Sequence, residues 1–280
     1  MEKNVLSTDL SGKVAVVTGA GGVLCSRFSK VLARAGAAVA LLDLDLDAAQ
    51  AVADEITAEG GRAVAIRCNV LDRAECDTSA AAVLGALGRC DILVNGAGGN
   101  NPAATTDGEY YEPDADTKTF FDLDPKKVGF VFDLNFLGTL IPTQAFAQQM
   151  VDREGCCILN VASMNAYRPL TKIPAYSGAK AAVKNFTEWL AVHFSRAGIR
   201  VNAVAPGFFS TKQNAALLWN DDGTPTARTG KILAATPMGR FGKPEELDGA
   251  LLFLVDNDAA GFITGVTLPV DGGFNAYSGV

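Results

Sequence analysis

The chain runs to 280 residues, 49% hydrophobic and 20% charged, enough to bury a substantial core within one domain. Its formal charge of -7 at pH 7 argues against a nucleic-acid partner, because grip on a phosphate backbone comes from concentrated Lys and Arg. The six Cys include no Cys-x-x-Cys pair and His193 is the sole His, so no metal centre is expected. Cys156 and Cys157 open an apolar run and read as small interior hydrophobes in a reduced compartment. No apolar stretch of signal-peptide length precedes Asp9, and charge or glycine interrupts the longer apolar runs. The expectation is a cytoplasmic protein with no membrane partner.

In chain order, Lys13 to Thr18 is a short apolar strand ending at Gly19, and Ser26 to Ala35 is helical in spacing until Gly36 stops it. Val39 to Leu42 is a second strand closed by Asp43. Asp47 to Glu59 carries an apolar helical stripe ended by Gly60-Gly61, and Ala63 to Cys68 is a third strand. Asp91 to Asn95, Cys157 to Val161, Arg200 to Ala205 and Val266 to Val270 extend the series. Near-continuous β-branched strands alternating with helices predict an α/β fold: a Rossmann-type, doubly wound parallel sheet of about seven strands, covered on both faces. No linker or fixed-period repeat divides the chain, so residues 1–280 read as one domain. Two turn-rich excursions, near 99–127 and 212–243, break the rhythm; such loops at a sheet edge are lids, binding loops or plain surface insertions.

Thr18-Gly19-Ala20-Gly21-Gly22 follows the first strand and precedes the first helix, where free backbone N–H groups and the helix dipole can accept a pyrophosphate. That places Gly19, Gly21, Gly22, Val23 and Leu24 in a dinucleotide site. Asp43 ends the second strand, 24 residues beyond Gly19, where a carboxylate can take both ribose hydroxyls and repel a 2'-phosphate. With Asp45 and Asp47 beside it and no nearby Arg or Lys, NAD is favoured over NADP; the alternative is an acidic loop touching only solvent. Asn69-Val70 and Asn95-Gly96-Ala97-Gly98 put further polar or small residues at strand carboxyl ends, the edge where open α/β sheets bind ligands.

Tyr176 and Lys180 stand i, i+4 in a segment able to begin a helix, which puts both on one face. A neighbouring amine favours the phenolate of a Tyr whose free pKa is near ~10, and reducing a carbonyl by hydride requires such a proton donor. Ser163 follows the fifth strand, 13 residues before Tyr176, and can donate to the carbonyl oxygen as it gains charge.

These residues, in order with Asn135, make the chain resemble the short-chain dehydrogenase/reductase family over essentially its whole length. The resemblance implies that Tyr176 is the general acid or base, that Lys180 binds the nicotinamide ribose and lowers the Tyr176 pKa, that Ser163 polarises the carbonyl, and that Asn135 holds a relay water. It implies that Asn69, Val70, Asn95, Ala97 and Gly98 line the cofactor site, and that Pro206, Gly207 and Thr211 contact its nicotinamide side. Asp271-Gly272-Gly273 resembles the family's closing turn. Two departures stand out: in an ungapped match the second and third turn glycines fall on Val23 and Cys25, and Asn95-Gly96 replaces a paired Asn. A non-catalytic NAD-binding protein on the same fold is the alternative to an enzyme.

The resemblance also implies a homotetramer. Within the family it is strongest to those members that are D-mannonate oxidoreductases, which interconvert D-fructuronate and D-mannonate, through Tyr110 to Asp114, Ser163 to Pro169 and Asp271 to Phe274. The implied substrate is a small sugar acid, with Arg168 and Lys172 as candidates for its carboxylate and Asn100 and Asn165 for its hydroxyls. Other sugar acids such as gluconate/5-ketogluconate, and neutral polyols, stay open, as does a structural ion pair for Arg168. The segment from Thr105 to Phe120 is expected at the active-site entrance.

Overall fold

The computed structural model describes residues 8–113, 116–210, 218–220 and 222–279. Seven strands are present among them: β1 (Val14–Thr18), β2 (Ala38–Asp43), β3 (Ala63–Arg67), β4 (Ile92–Asn95), β5 (Cys156–Val161), β6 (Ile199–Pro206) and β7 (Thr267–Val270). All pair in parallel, in the order β3-β2-β1-β4-β5-β6-β7. The order reverses between β1 and β4, and the crevice at that switch point is where an open α/β sheet binds ligands.

Burial on both faces explains why the strands read as unbroken apolar runs. Ala15 and Val17 of β1 join one core cluster with Phe28 and Leu32 of helix α1 (Val23–Arg34) and Ile56 of α2 (Leu46–Ala58). Val14 and Val16 face the other way, into a cluster with Val83 of α3 (Arg73–Ala86) and Phe146 of α5 (Gly138–Ala147). Alternation of period two is therefore present in space but absent from hydropathy, because neither face meets water. The six Cys are free thiols buried in these layers.

Two local features set up the crevice. Helix α1 begins at Val23 rather than Ser26, because Gly22 takes an extended conformation (φ -74°, ψ 158°) and its carbonyl already accepts from Ser26 N at 2.8 Å. No side chain caps that end, so its first N–H groups face the crevice. Further on, α4 (Pro125–Phe132) runs into α5 through a π-helical turn, Asp133–Leu137, which holds the buried Asn135. Wide turns of this kind are frequent at functional sites. Among the described residues no helix is long and apolar enough to cross a membrane.

Candidate active site

A cavity of about 970 Å³ opens along the carboxyl ends of the strands. At one end, Gly19 has φ +66°, and a Cβ there would stand 2.9 Å from the Ala97 Cα, so glycine is needed for β1 and β4 to meet so closely. Gly21 N donates to Asp43 Oδ2 at 2.9 Å, and Asp45 N to Asp43 Oδ1 at 3.0 Å. Each carboxylate oxygen has one backbone donor and keeps further acceptor capacity, so Asp43 is fixed on the cavity wall and free to take hydroxyls.

Ser163, Tyr176 and Lys180 line the opposite part of the same cavity. Ser163 leaves β5 and caps a short turn, its Oγ accepting from Asn165 N at 3.3 Å. Tyr176 and Lys180 stand in the first turns of α6 (Pro174–His193), which starts with Pro174 at a position where no backbone donor is lost. Burial pushes the Tyr176 phenol above its usual range, and a hydrogen bond with Ser163 opposes that shift. The Lys180 amine donates to Val161 O at 2.7 Å and lies 5.7 Å from the Tyr176 ring centroid. Burial lowers its pKa to about 8. Lys180 therefore sits over the ring and is bound to backbone, and the force acting directly on the phenol is the Ser163 hydrogen bond.

Asn135 lies behind the wall. Its Nδ2 donates to Gly99 O at 2.7 Å and Val131 O at 2.8 Å, and its Oδ1 accepts from Gly99 N at 3.3 Å. A Cβ on Gly98 would come within 2.6 Å of Asn135 Oδ1 and 3.3 Å of Lys180 Nζ. Gly98 thus lets the amide and the amine converge on one point. Beyond β6, a Cβ on Gly207 would meet the Asp271 Cα at 2.6 Å, which explains the small residue opposite the Asp271-Gly272-Gly273 turn.

Of the expected cofactor residues, Gly19, Gly21, Gly22, Val23, Leu24, Asp43, Asn69, Val70, Ala97, Gly98, Tyr176, Lys180, Pro206 and Gly207 line the cavity. Asn95 does not: its Nδ2 donates to Thr143 Oγ1 and Asn160 Oδ1, both at 2.9 Å, which ties β4 to its neighbours from within the core. Thr211 lies outside the described residues. The four expected substrate ligands also stand off the cavity wall. Arg168 is exposed and donates to Tyr277 O at 2.6 Å, while Lys172, exposed at φ +70°, uses its carbonyl to accept from Thr106 N. Asn100 donates to Thr105 Oγ1, and Asn165 is buried beneath the Ser163 turn. The short turn after Ser163, Met164–Ala166, buries Asn165 and leaves Arg168 exposed.

Leu134, Phe208, Phe209, Leu218, Arg228, Ile232 and Phe241 line the wall without having been anticipated. The described part of Thr105 to Phe120 does not line it; that segment touches α7 (Ala227–Ala234) through Glu109, which pairs with Lys231 at 2.6 Å.

A family model described as short chain dehydrogenase matches residues 13–221. The chain belongs to that family. An uncharacterized oxidoreductase of Haemophilus influenzae is 57% identical over 274 residues, covering 97% of this chain and 96% of that one. The uncharacterized oxidoreductase UxuB of Bacillus subtilis is 52% identical over 275 residues, covering 98% and 99%. A Haemophilus influenzae crystal structure with bound NAD, described as a candidate D-mannonate oxidoreductase, superposes with a TM-score of 0.96 at 56% identity, covering 99% of each chain. As a short-chain dehydrogenase family member with such relatives, the chain is an oxidoreductase.

Proposed function

We propose that this oxidoreductase uses NAD to interconvert a secondary alcohol and a ketone on a sugar acid, with D-mannonate and D-fructuronate as the pair, and that residues 1–280 work as one domain. The observation that carries the reading is the meeting of Ser163, Tyr176 and Lys180 in one cavity with Asp43. The residues present fit a dinucleotide: glycines allow close approach, an uncapped helix end faces the crevice, and Asp43 keeps acceptors for ribose hydroxyls. NAD, when bound, accepts or returns hydride at its nicotinamide.

The chain's own residues supply the rest. Tyr176 gives its phenolic proton to the carbonyl oxygen in reduction and takes it back in oxidation, and Ser163 donates to the same oxygen as charge builds on it. Lys180 carries a positive charge beside the phenol and orients a ribose, while Asn135, fixed on Gly99, holds the point above Gly98 through which a proton can leave. Pro206 and Gly207, which line the cavity, would bound the nicotinamide side of a bound cofactor. The sugar-acid assignment draws support from the NAD-bound relative's description.

Steady-state assays with NADH and NADPH against fructuronate, 5-ketogluconate, fructose and a simple ketone test this reading. NADH should bind at least ~10-fold more tightly than NADPH, and fructuronate should have the highest kcat/KM. Equal efficiency on neutral ketoses would remove the sugar-acid assignment, and equal nucleotide affinities would remove the cofactor preference. We place the enzyme in the cytoplasm as a homotetramer, an assembly favoured by an apolar groove between α5 and α6.

A further inference from the structure

We infer that Arg228 binds the substrate carboxylate. This inference rests on the sugar-acid reading and deepens it. Only two basic side chains, Lys180 and Arg228, line the cavity among the described residues. Lys180 is buried and its amine is held on Val161 O. Three other basic side chains are engaged elsewhere, Lys231 with Glu109 at 2.6 Å, Arg240 with Glu246 at 2.7 Å and Arg168 with Tyr277 O, and Lys172 stands exposed off the cavity wall. Arg228, exposed at the cavity rim, is the one of these cations that lines the cavity and has no partner among the described residues.

Its position is fixed by the helix that carries it. Thr226 caps α7, and Leu218 O accepts from both Thr226 N at 3.0 Å and Thr229 Oγ1 at 2.6 Å. Leu218 is itself part of the wall, so the start of α7 is tied to the cavity rim. Arg228 and Ile232 stand i, i+4 on the helix and both line the cavity. After α7, Met238 N donates to Gly272 O at 3.1 Å, and a Cβ on Gly272 would meet Thr236 Cγ2 at 3.0 Å. The helix is thereby anchored beside the ends of β6 and β7, the side of the sheet that carries β5 and Ser163, while Asp43 ends β2 across β1.

The charge pattern agrees. Asp43 and Asp45 line the cavity where β2 ends, and Arg228 enters it from α7, on the far side of β1. Phe208, Phe209 and Phe241 line the same cavity, and the planar fork of an Arg suits a carboxylate. A cation in the first turn of α7, which has no acidic residue there, works against the helix dipole, and an incoming carboxylate relieves that repulsion.

The test compares wild type, Arg228→Gln, Arg228→Lys and Arg168→Ala with NADH on D-fructuronate and D-fructose, with NADH affinity measured by fluorescence. In Arg228→Gln the kcat/KM ratio of acid to neutral substrate should fall about 10- to 100-fold, mainly through KM, with Arg228→Lys recovering part of it. Should fructose turnover fall below detection, calorimetric binding of D-mannonate to the NADH complex reads the same contact and should weaken at least ~10-fold. An unchanged ratio or D-mannonate affinity in Arg228→Gln, or a collapse seen instead in Arg168→Ala, overturns the inference while wild-type preference for the acid keeps the sugar-acid reading. Equal losses on both substrates with weakened NADH binding assign Arg228 to the cofactor and overturn it too. A wild type with no preference for the acid removes the sugar-acid reading and this inference together.

Discussion

Cys25 and Gly96 occupy complementary space: a Cβ built on Gly96 would overlap the Cys25 Sγ. The two departures from the family pattern, a cysteine in place of a turn glycine and a glycine in place of an asparagine, are therefore one packing solution. Burial pushes the Cys25 thiol up to about 12, so it packs as a neutral group. Gly96→Ala should lower stability by about 1 to 3 kcal/mol, read as a drop in Tm, because the overlap forces backbone shifts. Adding Cys25→Ala should return part of that loss, since the remaining Cβ stands 3.6 Å away while the Thr18 carbonyl oxygen stays at 3.0 Å. Additive losses in the double variant would show that the two positions are not coupled.

The sheet was legible because parallel strands buried on both faces leave continuous apolar runs, and Asp43 and the Ser163, Tyr176 and Lys180 set were legible because each stands at an element end. The part of the cavity wall that comes from residues 218–241 was not. Leu218, Arg228 and Phe241 come from an irregular excursion whose path depends on tertiary contacts such as Thr229 Oγ1 on Leu218 O and Lys231 on Glu109. Arg168, only five positions beyond Ser163, drew attention by proximity, yet its bond to Tyr277 O turns it to the surface. Cys25 and Gly96 read as two separate departures because their contact joins the first turn of α1 to the loop after β4.

The balance at Tyr176 gives a pH signature. Burial raises the phenol's pKa and the Ser163 hydrogen bond lowers it, so the phenol is protonated at neutral pH and able to donate in reduction. Alcohol oxidation, which needs the deprotonated form, should rise with pH into the alkaline range. Ser163→Ala should move that rising limb to higher pH and cut kcat about 10²- to 10³-fold. A limb that stays in place would separate Ser163 from the phenol's ionisation.

Lys180 should cost stability for the sake of its charge. Its folded pKa of about 8 lies below the ordinary lysine value of 10.5 because of burial, so between these values the unfolded state holds a proton that the folded state has lost. Stability from this group therefore rises as pH climbs from about 8 to 10.5, and below pH 8 the full penalty is present. Lys180→Met should be inactive yet more stable at pH 7, on the order of 1 to 3 kcal/mol, with the gap narrowing as pH rises through that window. Melting curves at pH 7 and pH 9.5 measure this, and a gap that widens with pH would contradict the sign.

The groove between α5 and α6 predicts assembly. It spans about 470 Å³ and is walled by Leu140, Ala147, Val151, Phe186, Trp189 and His193. The Phe186, Trp189 and His193 rings stack along α6, with centroids 6.2 and 4.7 Å apart, and Trp189 is 55% exposed. A rigid aromatic row left in water is a surface suited to burial, and a second copy's α5 and α6 would offer the same apolar row about a two-fold axis. Neither helix presents its catalytic residues in this groove, so the contact can be broken without touching the site. Sedimentation equilibrium at micromolar concentration should give four chains for the wild type and fewer for Trp189→Asp, with the variant's NADH affinity within about twofold of wild type. A wild-type monomer would refute the assembly, and a tetramer unchanged by Trp189→Asp would move the interface to another face.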